Sequence, residues 1–167
     1  MKYKAILMAS CFLGSGVFVL TGEQPAQPAI FTSDQAETGR VAYEATCGQC
    51  HTPTLLGRKG GPDAHELPPI ASLSEAYQKF IGPRGRVPPL AGPVFIDRWG
   101  SKTAAQLIAR FQETVNSFGL DDGKDFTVNI TAYILQVNGA RPGTQPLTRA
   151  TDTIVNSVTA DSSGHSR

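Results

Sequence analysis

Methionine is almost missing from this chain: of 167 residues only Met1 and Met8 carry a thioether. Any role for a methionine sulfur beyond residue 8, such as holding iron or copper, is excluded. Cysteine is scarce as well, with Cys11, Cys47 and Cys50 the only three, so a scaffold stapled by several disulfides is excluded. Charge of either sign is not in excess, and a formal net charge of +1 without a basic stripe argues against a nucleic-acid binder. There is no internal repeat and no alternating pattern long enough for a strand. What is plentiful is turn chemistry: 17 glycines and 12 prolines predict one small domain with generous loops, whose core a cofactor could complete.

The N-terminus carries Lys2 and Lys4 and then an apolar run from Ala5 to Leu20. This is the pattern of a secretory signal peptide over residues 1–22, too short for a membrane anchor. Cleavage falls between residues 20 and 29, near Gly22 or near Ala26 and Ala29. A lipoprotein reading of Met8-Ala9-Ser10-Cys11 would leave the hydrophobic segment from Phe12 to Leu20 on the mature N-terminus. Cutting after Gly22 takes Lys2 and Lys4 from the 15 basic residues, leaving 13 against 14 acidic ones. It also removes Cys11 and both methionines. The expected location is the periplasm, with no membrane span after cleavage.

Cys47-Gly48-Gln49-Cys50-His51 carries the chemistry. Two cysteines two residues apart followed at once by histidine is the attachment pattern of haem c: both thiols form thioethers and the histidine binds the iron. One haem c per chain, covalently held, is expected. A redox dithiol would follow a strand, whereas the residues before Cys47 read as a helix. A tetrahedral zinc site would have to find its remaining ligands in His65 and His165.

Residues 23–32 form a Pro/Gln-rich linker. Thr32-Ser33-Asp34 with Glu37 predicts a helix start, and the helix runs from about Asp34 to Ala45 with Gly39 and Tyr43 on one face, where another helix could approach closely. From Thr52 to Val87 the chain is loop-rich, interrupted by one short helix that Ser72 and Glu75 would cap and that carries Leu73, Ala76, Tyr77 and Phe80. Pro88 to Pro93 is a turn. Ser101 is the expected cap of an amphipathic helix with Leu107, Ile108, Phe111 and Val115 on its stripe. Asp121 and Asp122 open a last helix that buries Phe126, Ile130, Tyr133, Ile134 and Val137 and ends at Asn138-Gly139. Residues 144–167 read as a polar tail, partly disordered, in which Ile154, Val155 and Val158 make one docking turn.

The helix with Gly39 and Tyr43, the pentapeptide, and Ala132-Tyr133-Ile134-Leu135 together resemble the class I c-type cytochromes. More specifically, Pro88-Pro89-Leu90-Ala91-Gly92, Phe95, Arg98-Trp99-Gly100 and the segment from Ala132 to Gly139 resemble the small monohaem cytochrome domains associated with quinoprotein alcohol dehydrogenases. The resemblance implies an all-α, class I cytochrome c-like fold over residues 33–143, with N- and C-terminal helices crossing and a loop-rich insertion at about 58–86. It makes Cys47 and Cys50 the thioether anchors and His51 the proximal iron ligand. It assigns the carbonyl that fixes the His51 ring to Pro88, with Pro68 as a rival. Arg98 or Trp99 would pair with a haem propionate, or Trp99 would simply fill the core; Tyr43 and Tyr133 would touch where the terminal helices cross.

One departure stands out. Relatives place a distal methionine in a Thr-Met-Pro setting, and this chain reads Thr114-Val115-Asn116. The sixth iron position is therefore open, or filled by His65 from the insertion, or by His165, Lys79, Tyr77 or Asn116. The resemblance implies single-electron transfer in the periplasm with a redox partner protein, a quinoprotein-type dehydrogenase being the expected one. A small-ligand-binding haem protein is the rival, and a structural subunit of a larger dehydrogenase complex is a third reading. Peroxidase chemistry would need a distal acid or base, and residues 114–120 offer only Asn116 and Ser117, so no catalytic residue is expected.

Overall fold

The computed structural model describes residues 27–61, 65–119, 123 and 125–159. The signal segment, the helix start expected at Asp121 and Asp122, and His165 lie outside the described residues. Among those described, the chain forms seven α-helices and no strand, so the molecule is all-helical with long connections. None of these helices is long and apolar enough to cross a membrane.

Helix α1 spans Ser33–Ala45, and its start is set by a reciprocal pair. The Gln35 amide donates to Thr32 Oγ1 and the Thr32 amide to Gln35 Oε1, both at 3.2 Å. The capping partner is thus Gln35; Glu37, which looked like part of the cap, pairs with Arg40 at the surface instead. Helix α6 spans Phe126–Val137 and crosses α1. The crossing is close because Gly39 has no side chain: a Cβ there would fall onto the Asn129 carbonyl. Beside it Tyr43 is fully buried, its ring 5.4 Å from that of Tyr133, and its hydroxyl donates to the Thr52 carbonyl at 2.7 Å.

Helix α6 is buried on more faces than its expected stripe. Thr127, Val128, Thr131, Ala132 and Leu135 are inside with Ile130 and Ile134, while Val137 is 42% exposed. Helices α1 and α5 (Ala104–Ser117) both pack on it, which leaves it little polar surface. Helix α5 buries Leu107, Ile108 and Val115 as expected, but its cap is Thr103, paired reciprocally with Gln106, and Ser101 lies outside the cap.

Between α1 and α5 come three short helices. The pentapeptide is itself α2, Cys47–His51. A 3₁₀ turn at Ile70–Ser72 precedes α3, Glu75–Ile81, whose N-cap is Ser74. Ser72 therefore does not cap α3; its hydroxyl donates to Pro69 O at 2.7 Å. Phe80, placed on the expected stripe, is 52% exposed, and Ile81 is the residue buried. Helix α4, Pro93–Trp99, was not expected: Pro93 sits in its first turn, where the missing amide hydrogen costs nothing.

Arg58 and Val87 form an antiparallel bridge, with N···O distances of 2.8 and 3.1 Å, and so close the long connection at its neck. The segment after Gly139 is packed onto the body. Gln35 exchanges two hydrogen bonds with the Leu147 backbone, Ile154 bridges Thr103, and α7 (Val155–Thr159) buries Val155 and Val158. Ile154 itself is 42% exposed.

Candidate functional site

The core is divided in two. The main cluster takes in Cys47, Leu90, Trp99, Phe111, Ile130 and Ile134, while a smaller one gathers Leu73, Ile81 and Val87 with Cys50 and Tyr77. Along the seam runs a cavity of about 280 Å³, walled by α2, by the loop Val87 to Leu90, by α5 and by α6. Cys47, Cys50 and His51 all line it.

The His51 ring is fixed by one contact. Nδ1 donates to the Pro88 carbonyl at 2.8 Å, which sets the tautomer and leaves Nε2 as the nitrogen with a free lone pair. Burial pushes the His51 pKa down, against the opposing pull of that hydrogen bond, so the neutral form is favoured. Pro88 is held in turn. The Asn138 side chain, buried at the end of α6, accepts from the Gly92 amide at 3.0 Å and donates to Leu90 O at 3.0 Å and Ile134 O at 2.8 Å. The rival carbonyl, Pro68 O, is occupied otherwise: it accepts from Arg58 at 2.6 Å.

Arg58 is 4% exposed and paired through carbonyls alone. Its guanidinium donates to Cys50 O at 3.0 Å, Gln49 O at 2.9 Å, Glu66 O at 3.4 Å and Pro68 O. Gln49 and Cys50 are at the C-terminal end of α2, where unpaired carbonyls gather and a cation is favoured. Arg58 thereby ties α2 to the insertion.

Neither Cys47 nor Cys50 is in a disulfide. Burial raises the pKa of both thiols; the Thr46 hydroxyl eases Cys47 and Arg58 eases Cys50, without cancelling the effect. A dithiol built for exchange has the opposite tuning. Zinc fares no better, because among the described residues no three of His, Cys, Asp or Glu gather into a group that could hold a metal ion.

Arg98 and Trp99 also line the cavity, the guanidinium 6.0 Å from the indole centroid. Of the site residues named from sequence, then, Cys47, Cys50, His51, Pro88, Arg98 and Trp99 come together. His65 does not: it is exposed in a separate surface depression with Glu66 and Lys79. Tyr77, Lys79 and Asn116 do not line the cavity either.

Four residues escaped the sequence reading. Arg86 and Arg110 reach the cavity, Arg58 anchors α2, and Asn138 steadies the Pro88 loop. Asn138 had a local signal, as a helix end, but nothing in sequence pointed to its partners 46 and 48 residues away. No family model matches this chain, and no curated protein or solved structure does.

Proposed function

We propose that this chain is an exported monohaem c-type cytochrome that carries single electrons. The observation that supports it most is the convergence of Cys47, Cys50 and a tautomer-fixed His51 on one wall of a largely apolar cavity. The crossing of α1 and α6 at Gly39, and the His51-to-Pro88 contact anticipated from the Pro-x-Leu-x-Gly segment, support a class I cytochrome c-like fold. The donor set fits haem c, with two thiols free to become thioethers and one neutral imidazole as an axial ligand. When bound, the haem supplies a one-electron iron couple.

The chain's own part is binding and tuning. Cys47 and Cys50 would hold the group at the seam, and His51, its ring fixed by Pro88, would present Nε2 to it. Arg86 and Arg98 would supply cations at the cavity for the propionates, while Arg110 is paired with Glu113. Phe111, Val115 and Ile130 exclude water, which limits reorganisation when charge changes. No catalytic group is assigned, so the electrons pass to or from a separate redox protein, a periplasmic dehydrogenase of the quinoprotein type being the partner the sequence resemblance suggests.

Expression of the full chain with a cytochrome c maturation system should give a protein one covalent haem heavier than the mature polypeptide by intact mass. It should show a reversible one-electron potential. Cys47→Ser with Cys50→Ser should abolish the covalent adduct. A parent protein that leaves the maturation system without haem would overturn the proposal.

A further inference from the structure

If the cavity holds haem as proposed, the described residues that line it supply one strong iron ligand and no second. Among the lining residues His51 is the sole imidazole, and both cysteines are consumed by thioethers. The only methionines are Met1 and Met8. His65 and Lys79 lie in another depression, and Asn116 pairs with Gln112 at 3.0 Å. Where relatives carry methionine, α5 presents Val115, 6% exposed and part of the cavity wall.

The polar groups on that wall are already committed. The Thr114 hydroxyl donates to Arg110 O at 3.0 Å, the Thr127 hydroxyl donates to Gln112 Oε1 at 2.9 Å, and the Arg110 guanidinium pairs with Glu113 at 3.1 Å. Among the described residues that line it, no Asp, Glu, Lys or second His is there for peroxide cleavage, and no uncommitted hydroxyl is there to hold bound oxygen. Ligands that need neither group, bind ferrous iron and tolerate apolar walls are the neutral diatomics carbon monoxide and nitric oxide.

We infer that the iron is five-coordinate and that the Val115 face of the cavity binds a neutral diatomic ligand, which gates the electron-transfer site. This rests on the haem reading above. A ligand that prefers the ferrous form raises the reduction potential by linkage, about 59 mV for each tenfold preference at saturation.

The test uses the full-length haem-loaded protein with carbon monoxide as probe. Ferric and ferrous absorption spectra are recorded with and without the gas for the parent, H65A and V115M. High-spin ferrous iron that takes carbon monoxide in both the parent and H65A is expected. V115M should be low-spin, resist carbon monoxide at concentrations that saturate the parent, and have a higher potential, because a methionine axial ligand raises it. A low-spin parent that refuses carbon monoxide overturns the inference, and if H65A then accepts it, His65 is the ligand. Should V115M fail to fold, the parent and H65A spectra decide alone. Covalent haem present with carbon monoxide refused defeats this inference only, whereas no haem at all defeats the cytochrome reading with it.

Discussion

Asn138 shows how far a single amide can reach. It is 6% exposed at the end of α6, and its side chain joins three backbone groups on two segments, so the loop that offers Pro88 O to His51 is fastened to the last helix. Asn138→Ala leaves the Gly92 amide and Leu90 carbonyl short of partners and should cost about 2–3 kcal/mol in urea unfolding. Because the loop also fixes the His51 ring, the variant should change the ligand-field spectrum of the loaded protein; loss of stability with an unaltered spectrum would show that the loop holds its place without Asn138. Arg58 works in the same manner on the other side of His51, with one buried cation satisfying carbonyls from α2 and from the insertion.

Helices α1 and α6 depend on a glycine to meet. Gly39→Ala drives a methyl group into the Asn129 carbonyl, and neither helix can yield without disturbing the Tyr43–Tyr133 contact. An unfolding free energy lowered by about 2–3 kcal/mol at unchanged m-value is expected, and a neutral result would mean the crossing is looser than drawn. This contact was legible in the sequence because Gly39 and Tyr43 are four apart on one helix face; α4 was not, because proline and glycine around it read as turn although Pro93 is tolerated at a helix start. The hydrogen bond from His51 to the Pro88 carbonyl was anticipated because the Pro88-Pro89-Leu90-Ala91-Gly92 segment resembles a family pattern, with Pro68 as its rival. The hold of Arg58 and Asn138, and the approach of Arg86 and Arg110 to the cavity, were not, since each depends on residues brought together only by the folded chain. The insertion has its own pH sensitivity. Glu66 Oε1 accepts from the Lys59 amide at 2.7 Å, and this hydrogen bond above all holds the carboxyl below its ordinary 4.5. A depressed folded-state value means stabilisation that is present above pH 4.5 and lost as pH falls through the lowered value. The Lys59 amide protection factor should therefore drop in that acidic window and stay flat in Glu66→Gln; equal acid sensitivity in both would remove Glu66 from the account.

At the scale of the molecule, the seam between the two apolar clusters bears on stability. On the haem proposal, a group held covalently between the two clusters would join them into one cooperative core. The Cys47→Ser, Cys50→Ser chain keeps α1 and α3 to α7 unaltered but cannot form thioethers. It should keep most of its far-ultraviolet helical signal while unfolding at much lower temperature, with weak cooperativity and dye binding to exposed apolar surface. Free haem should restore part of the stability through His51, and His51→Ala in the same background should remove that rescue. A double-serine chain that melts as sharply and as high as the loaded parent would mean that α1, α5 and α6 close the core unaided, and that the seam plays no part in holding the fold together.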